Sequence, residues 1–204
     1  MANSNKDPIS VSIIGGSGYT GAELIRLISK HPHFELNQVV ANRNAGKKIQ
    51  DIFPHLRHLN IPDFINFEEM NFENVDLIFC ALPHATSQEI IVRIPEGKKI
   101  IDLSADFRLE QVEEYERWYG SKHIAHSLQE KAVYGLTEIY KEKIKKGSLI
   151  ACTGCNSAAS LYPVLPLLNE GIINSDSLII NLGAGVSGAG RDAKQNIIHA
   201  EVSE

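Results

Sequence analysis

Two cysteines, Cys152 and Cys155, have the spacing Cys-x-x-Cys and are the first residues of this chain to suggest chemistry. The spacing is typical of a redox pair, of half a zinc site, or of one catalytic thiol beside an inert one. A zinc site needs two further Cys or His ligands at short spacing. Cys80 lies in an apolar run, and His123 and His126 lie upstream in a polar segment. We therefore predict no metal site.

The redox interpretation expects a thioredoxin-like fold, which is far smaller than this chain of 204 residues. The remaining interpretation assigns the chemistry to Cys155, which follows a glycine and precedes a segment that predicts a helix from about Asn156. A helix N-terminus favours a thiolate, and its N–H groups bind a developing oxyanion. The alternative for Cys155 is a small buried residue. Cys152, at the end of the preceding apolar run, is expected to be buried and inert.

A glycine-rich turn, GGSGYTGAE at residues 15–23, contains the spacing Gly16-x-Gly18-x-x-Gly21. It lies between an apolar β-branched run and a helical pattern, which is the context that a dinucleotide-binding turn requires. Glycines let the backbone approach a pyrophosphate, and the helix N-terminus supplies N–H groups to it. The sequence therefore predicts a nicotinamide dinucleotide site, with a tight turn that binds no ligand as the alternative.

The end of the second predicted strand distinguishes the two nicotinamide cofactors. An NAD site usually places Asp or Glu there, but the segment VVANRNAGKK at residues 39–48 has no acid. Arg43, with Lys47 and Lys48 nearby, is suited to a 2′-phosphate, so the sequence favours NADP over NAD. The alternative is that these are ordinary solvated loop charges.

Short apolar runs that end at Gly, Pro, Ser or Asp alternate with helical patterns along the chain. The alternation predicts an α/β fold, with a doubly wound, mostly parallel sheet and a ligand site beyond the carboxyl ends of its strands. We predict strands at residues 9–16, 36–41, 75–82, 98–104, 148–154 and 177–183, and helices at residues 22–32, 86–94 and 109–119.

The overall charge argues against two classes of partner. A net charge of −5 gives no electrostatic basis for binding nucleic acid or an anionic membrane surface. The N-terminal segment lacks the pattern of a secretory signal, and no apolar run reaches the length of about 20 residues that spans a bilayer. We predict a cytoplasmic protein whose three cysteines stay reduced.

Ordered segments from about residue 9 to the last residue together resemble the N-acetyl-γ-glutamyl-phosphate reductase family, NADPH-dependent enzymes of arginine biosynthesis. The resemblance implies an NADP-binding Rossmann domain at residues 1–153. It also implies that residues 154–204 begin an α+β catalytic and dimerisation domain of the glyceraldehyde-phosphate dehydrogenase type. The segments that carry it are IIGGSGYTGAELIRLISKHP, DIFPHLRHL, ALPHATS, DLSADFRL, YERWYG, AVYGLTEIY, TGCNSAA and GVSGAGRDA.

The reaction implied by the resemblance is reduction of N-acetylglutamyl 5-phosphate to the 5-semialdehyde, with release of phosphate, through a thioester on Cys155. It also implies substrate contacts from Ser104 and Arg108, although the Asp-Phe-Arg segment is equally suited to a structural ion pair. The cofactor positions implied by the resemblance are Gly16, Ser17, Gly18, Tyr19, Thr20, Gly21, Asn42, Arg43 and Gly188.

The residues on either side of Cys155 differ from the sequence that is usual in the family, Asn-Pro-Gly-Cys-Tyr-Pro-Thr. This chain has Thr153 before the glycine and Asn156 and Ser157 after the cysteine. Asn after the cysteine is typical of a related reductase that acts on carrier-protein-linked aminoadipyl phosphate in lysine biosynthesis, whereas SGAGR fits the arginine enzyme. An aspartate-semialdehyde dehydrogenase and an NADP-binding sensor without catalysis are further alternatives.

The family's general acid/base histidine is expected beyond residue 204, in a His-Arg-His type segment. We do not give that role to His199, and His84 is more typical of a polar residue at the start of a helix. We therefore expect this chain to be an incomplete form that is poorly active alone. The full-length protein is expected to be a dimer or a tetramer.

Overall fold

The computed structural model describes residues 7–192, 195 and 198. The chain divides into two compact units, Met1–Cys152 and Thr153–Glu204. The first unit contains a sheet whose paired strands all run parallel, and the order of its seven strands is β3-β2-β1-β4-β5-β7-β6. The strands are β1 (Ile9–Ile14), β2 (Phe34–Val40), β3 (Phe64–Ile65), β4 (Leu77–Cys80), β5 (Lys99–Asp102), β6 (Val133–Gly135) and β7 (Leu149–Cys152).

The strand order confirms the predicted doubly wound sheet. The chain starts in the middle at β1, moves outward to β3, and returns to β4 on the other side of β1. Such a reversal opens a crevice beyond the carboxyl ends of the two central strands, where ligands bind in this class of sheet. The sequence predictions for β1, β2, β4, β5 and β7 are confirmed, each with ends shifted by a few residues.

Helices connect the strands and cover both faces of the sheet. Val11 and Ile13 belong to one hydrophobic cluster, together with Ile25 of the first helix, whereas Ile14 belongs to a second cluster with Ile78. Burial on both faces explains why the strands are continuous apolar runs in the sequence. The helices of this unit are α1 (Tyr19–Ile28), α2 (Ile49–Ile52), α3 (Ser87–Ile91), α4 (Val112–Tyr119), α5 (His126–Gln129) and α6 (Thr137–Lys146).

The second unit begins with helix α7, Cys155–Asn169, and continues with short 3-10 turns at Ser175–Ser177 and Val186–Ala189. The strand predicted at residues 177–183 is wrong. Those residues form no strand, and Ile179 is 87% exposed. A strand requires a hydrogen-bonded neighbour, and the structure pairs no other segment with this one in the described part of the chain.

The three helices predicted in the first unit all form, but with different ends. Helix α3 spans Ser87–Ile91 instead of residues 86–94, and α4 spans Val112–Tyr119 instead of residues 109–119. Helix α1 begins at Tyr19 and ends at Ile28, so it includes part of the glycine turn and stops before Pro32. The elements β3, β6, α2, α5 and α6 were absent from the sequence prediction because they are short or mainly polar. None of the described helices combines the length and the apolar composition that crossing a membrane requires.

Candidate active site

The glycine turn after β1 is held between the two neighbouring strands. The N–H groups of Gly15 and Gly16 both donate to the carbonyl oxygen of Val40 in β2, at 2.9 Å. On the other side, the N–H of Ala81 donates to the carbonyl of Ile14 at 2.7 Å. The turn therefore lies at the β1/β4 crevice, with its backbone fixed from both sides.

Three of its glycines are required by close packing. A Cβ on Gly15 would lie 2.4 Å from the carbonyl oxygen of Ala81, and Gly15 also has a φ of +88°. A Cβ on Gly16 would lie 2.2 Å from Cγ1 of Val39, and one on Gly21 would lie 2.5 Å from the carbonyl oxygen of Gly16. Gly15 is not among the predicted cofactor positions, although a second glycine at the end of the strand is a signal for it.

Gly18 differs from these three because a Cβ there would meet nothing within 4 Å. It is the N-cap of α1, and no side chain caps this helix end. The first N–H groups of a helix have no acceptor within the helix. The open space at Gly18 therefore fits a diphosphate that approaches the helix end closely. Tyr19 and Thr20 are exposed on the first turn, and Ser17 is half-buried beside them.

The turn after β2 carries the basic residue that was proposed to distinguish the cofactors. Asn42–Asn44 form a 3-10 helix, and Oδ1 of Asn42 accepts a hydrogen bond from the N–H of Phe67 at 3.0 Å. Arg43 is exposed on this turn. Because Gly16 is hydrogen-bonded to Val40, the turn and the glycine turn lie at the same edge of the sheet. Arg43 is therefore available to a group bound there, whereas Asn42 anchors the turn.

Ser104 lies in a buried polar cluster after β5. Its hydroxyl donates to Oδ2 of Asp102 at 2.6 Å and accepts from the N–H of Asp106 at 3.0 Å. Ser104 is 0% exposed. In the structure the Ser104 hydroxyl supports the loop after β5, and a direct substrate contact for Ser104 stays a prediction.

Arg108 connects two strand ends. Its Nε donates to the carbonyl of Cys152 at 2.7 Å, and one terminal nitrogen donates to the carbonyl of Leu103 at 2.8 Å. The ion pair considered for the Asp-Phe-Arg segment does not form in the described structure, since the Asp106 carboxylate instead accepts from the N–H groups of Ala85 and Gln88. Arg108 thus fixes the end of β7, and a substrate contact for it stays a proposal.

His84, in the turn after β4, is exposed, and its Nδ1 accepts a hydrogen bond from the N–H of Ala105 at 2.9 Å. An accepting Nδ1 leaves the ring proton of neutral His84 on Nε2. The histidine therefore connects the loops that follow β4 and β5. His84 is not a helix cap in this structure, because α3 begins at Ser87.

Cys155 is the first residue of α7 and is exposed. Gly154 is the N-cap and no side chain caps the helix, whose first described bond runs from the N–H of Ala158 to the carbonyl of Gly154 at 2.8 Å. The thiol therefore lies beside first-turn N–H groups that can donate to, and stabilise, a developing negative charge. Cys152 is half-buried rather than fully buried.

The third cysteine, Cys80, and the last predicted cofactor residue, Gly188, lie outside the site segments described so far. Cys80 is buried. Its burial is the larger cause, and the nearby Asp102 carboxylate the smaller cause, of a pKa well above the usual value for a thiol. Cys80 therefore stays protonated. Gly188 lies in the 3-10 turn of the second unit, where its N–H donates to the carbonyl of Gly185 at 3.0 Å. Its cofactor role stays a prediction. His199 lies outside the described residues.

His123 is a buried histidine near these loops, and its place in the sequence suggests at most a metal ligand. It is 3% exposed, its Nε2 donates to the carbonyl of Asp106 at 2.9 Å, and its Nδ1 accepts from the N–H of Ala125 at 3.3 Å. Burial, the largest cause, lowers its pKa below the ordinary value of 6.5. The neutral ring is therefore the form that fits the fold.

The glycine turn, the reversal between β1 and β4 and the open helix end together define the dinucleotide-binding class of doubly wound sheets. A family model for the semialdehyde dehydrogenase NAD binding domain matches residues 10–147, and one for the semialdehyde dehydrogenase dimerisation domain matches residues 155–204. The chain belongs to the semialdehyde dehydrogenase family.

The relatives within this family are consistent with the sequence analysis. The N-acetyl-gamma-glutamyl-phosphate reductase of Rhodobacter capsulatus is 52% identical over 95% of this chain and 56% of its own length. The enzyme of that name from Cereibacter sphaeroides is 53% identical over 96% of this chain and 57% of its own length. The resemblance to this reductase family is confirmed, and the chain spans little more than half the length of these relatives.

A solved structure supports the fold. Aspartate semialdehyde dehydrogenase with NADP from Candida albicans superposes with a TM-score of 0.57 at 21% identity. The match covers 80% of this chain and 48% of that protein. At this identity the likeness concerns the architecture alone.

Substitution of Gly15 and of Gly18 should separate packing from ligand binding. We expect Gly15→Ala to lower the free energy of unfolding by about 2–4 kcal/mol, because Cβ would clash with the Ala81 carbonyl in a left-handed conformation. Gly18→Ala should change it by at most about 1 kcal/mol. It should nevertheless weaken dinucleotide binding about tenfold or more, because the methyl group occupies the open space. Urea unfolding and fluorescence titration measure the two effects, and equal destabilisation by both variants would contradict this assignment.

The buried ring of His123 should make the first unit sensitive to acid. A folded-state pKa below the ordinary value means that the unfolded chain binds the proton more readily. The stability contributed by neutral His123 is therefore present above about pH 6.5 and is lost as the pH falls towards the lowered pKa. His123→Gln should show a smaller loss of unfolding free energy between about pH 7.5 and about pH 5.5. His58→Gln, at an exposed histidine, is the control and should retain the wild-type slope.

Proposed function

We propose that this chain belongs to an NADPH-dependent reductase that converts N-acetylglutamyl 5-phosphate to N-acetylglutamate 5-semialdehyde in arginine biosynthesis. The observation that carries the proposal is the identity of 52% to reductases of that name, over a chain that keeps an exposed thiol at a helix N-terminus. The open approach to the diphosphate at Gly18 supports the cofactor assignment.

In this proposal Cys155 is the nucleophile. Its sulfur attacks the acyl carbon, the C–S bond forms, and the C–O bond to the phosphoryl group breaks, so that phosphate leaves with the electron pair. N–H groups in the first turn of α7, those of Asn156 and Ser157, stabilise the oxyanion during this step. NADPH, when bound, supplies the hydride that reduces the thioester. Breaking of the C–S bond then releases the aldehyde and restores the thiolate.

The cofactor assignment to NADP rests on the turn after β2. Arg43 is exposed at the edge of the sheet that carries the glycine turn, and the segment at residues 39–48 contains no acid to hold ribose hydroxyls. The rest of the proposed cofactor site is the glycine turn, with the residues Gly16, Ser17, Gly18, Tyr19, Thr20 and Gly21. Asn42 contributes by anchoring the turn through Phe67.

We also propose that the reductase acts as a homo-oligomer, with a cofactor domain at residues 1–153 and a catalytic and dimerisation domain from residue 154. The match of residues 155–204 to the semialdehyde dehydrogenase dimerisation domain supports this division. A cytoplasmic location stays a prediction from the sequence.

A carrier-protein-linked aminoadipyl phosphate is the second candidate substrate. The observation that favours it is Asn156, whose Oδ1 lies 3.9 Å from the sulfur of Cys155, where the usual reductases of arginine biosynthesis have Tyr. The chemistry at the thiol is the same for both substrates. Turnover of free N-acetylglutamate semialdehyde, compared with turnover of a carrier-linked aldehyde, distinguishes the two.

Replacement of Arg43 tests the choice of cofactor. Arg43→Ala should weaken NADPH binding about tenfold or more, because one charge-assisted contact to the 2′-phosphate is lost. NADH binding should stay unchanged, since NADH lacks that phosphate. Arg57→Ala, at another exposed arginine, is the control. Equal losses for both cofactors, or no loss with NADPH, would rule out this role for Arg43.

Serine variants of the two neighbouring cysteines test the mechanism. With acetyl phosphate as a simple acyl phosphate, Cys155→Ser should abolish formation of a thioester adduct detected by mass spectrometry, whereas Cys152→Ser should retain it. In a full-length form of the protein, phosphate-dependent reduction of NADP by N-acetylglutamate semialdehyde should respond in the same way, with a loss of at least about 10³-fold for Cys155→Ser. Activity that survives in Cys155→Ser would disprove the thioester route.

A further inference from the structure

Asp106 is a buried carboxylate with three donors from two different parts of the fold. Its Oδ1 accepts from the N–H of Ala85 at 2.7 Å and from the hydroxyl of Tyr115 at 3.0 Å, and its Oδ2 accepts from the N–H of Gln88 at 3.1 Å. Asp106 is 1% exposed. The carboxylate therefore joins the loop after β5 to the turn between β4 and α3.

That turn contains an unfavourable backbone conformation. Ala85 has a φ of +64° and is the non-glycine residue with positive φ in the part of the chain that the structure describes. A residue with a side chain adopts this region only when its surroundings hold it there. Here the carboxylate of Asp106 binds the N–H of Ala85 itself, and the adjacent ring of His84 accepts from the N–H of Ala105. Two bonds from one loop thus hold the turn.

The position of the turn relates it to the proposed cofactor site. It follows Ala81, whose N–H bonds to Ile14 and whose carbonyl lies against Gly15. A dinucleotide bound at the β1/β4 reversal extends from the β2 side, where Arg43 lies, across to the β4 side. The turn at residues 82–86 therefore borders the half of the site that receives the nicotinamide.

We propose that Asp106 is a positioning residue, which holds the left-handed turn at Ala85 and thereby shapes the nicotinamide half of the cofactor site. The inference rests on the proposed function, since it requires NADPH to bind at the glycine turn. Loss of the carboxylate leaves the turn free to relax to a more favourable conformation. The apparent affinity for the cofactor then falls with the fraction of molecules that keep the binding conformation.

Asp106→Asn tests this inference with little change in shape. The amide replaces one accepting oxygen with a donor, so it cannot accept from Ala85, Gln88 and Tyr115 together. We expect NADPH affinity to fall about tenfold. Adenosine 2′,5′-bisphosphate, which lacks the nicotinamide half, should bind within about twofold of wild type. Asp76→Asn is the matched control, because Asp76 Oδ2 accepts from the N–H of Ser10 at 2.8 Å at the opposite edge of the sheet, and it should bind both ligands normally.

A second substitution distinguishes positioning from a general role in folding. Glycine adopts positive φ without a steric penalty. Ala85→Gly in the Asp106→Asn background should therefore restore most of the lost NADPH affinity. Ala85→Val should weaken NADPH binding selectively without altering the carboxylate, which keeps the test decisive if Asp106→Asn does not fold by circular dichroism.

Equal weakening of both ligands by Asp106→Asn, failure of Ala85→Gly to restore affinity, or normal NADPH binding by Ala85→Val would overturn the inference. Failure of the wild-type chain to bind either ligand is a different result. It would overturn the proposed function itself, and the positioning role with it.

Discussion

The close approach of three backbone segments at the carboxyl end of β1 is the constraint on which the rest of the structure depends. Val40 of β2 accepts two N–H groups from the glycine turn, and the carbonyl of Ala81, just past β4, lies where a Cβ of Gly15 would be. Only glycine satisfies both the contact and the positive φ. This contact joins β1 to both neighbours at the strand reversal and places the open helix end at Gly18 over the crevice.

A second set of hydrogen bonds, centred on Asp102, fixes the loops after β4 and β5 at the same edge of the sheet. Asp102 loses its hydration because it is buried there. Asp102 accepts from the hydroxyls of Ser87 and Ser104, each at 2.6 Å, and burial raises its pKa despite these bonds. The folded chain therefore holds the Asp102 proton more tightly than the unfolded chain does. Its contribution to stability falls as the pH rises past the ordinary value for an aspartate. The Asp102 carboxyl group nevertheless joins Ser87, which follows β4, to Ser104, which follows β5, and so holds the two segments together.

The sequence predicted the central strands and the glycine turn because both depend on local chemistry. Apolar runs buried on two faces have to be continuous, and a turn that approaches a diphosphate has to be glycine. The burial of Ser104 could not be predicted, because it is set by contacts with Asp102 and Asp106, and spacing along the chain does not report such contacts. Gly15 was missed because its contact with Ala81 is made across strands. The strand predicted at residues 177–183 does not form, because hydropathy does not report whether a second strand is present to pair with this segment.

The contacts of Arg108 show how the first unit fixes its own last residue, Cys152. The guanidinium group joins the carbonyl of Leu103, at the end of β5, to the carbonyl of Cys152, at the end of β7. Both carbonyl oxygens accept hydrogen bonds from the same planar guanidinium group, whose rigid geometry fixes the distance between the two strand ends. Three residues after Cys152 the chain reaches Cys155. Because the carbonyl of Cys152 is hydrogen-bonded to Arg108, the segment that leads to Cys155 starts from a fixed residue.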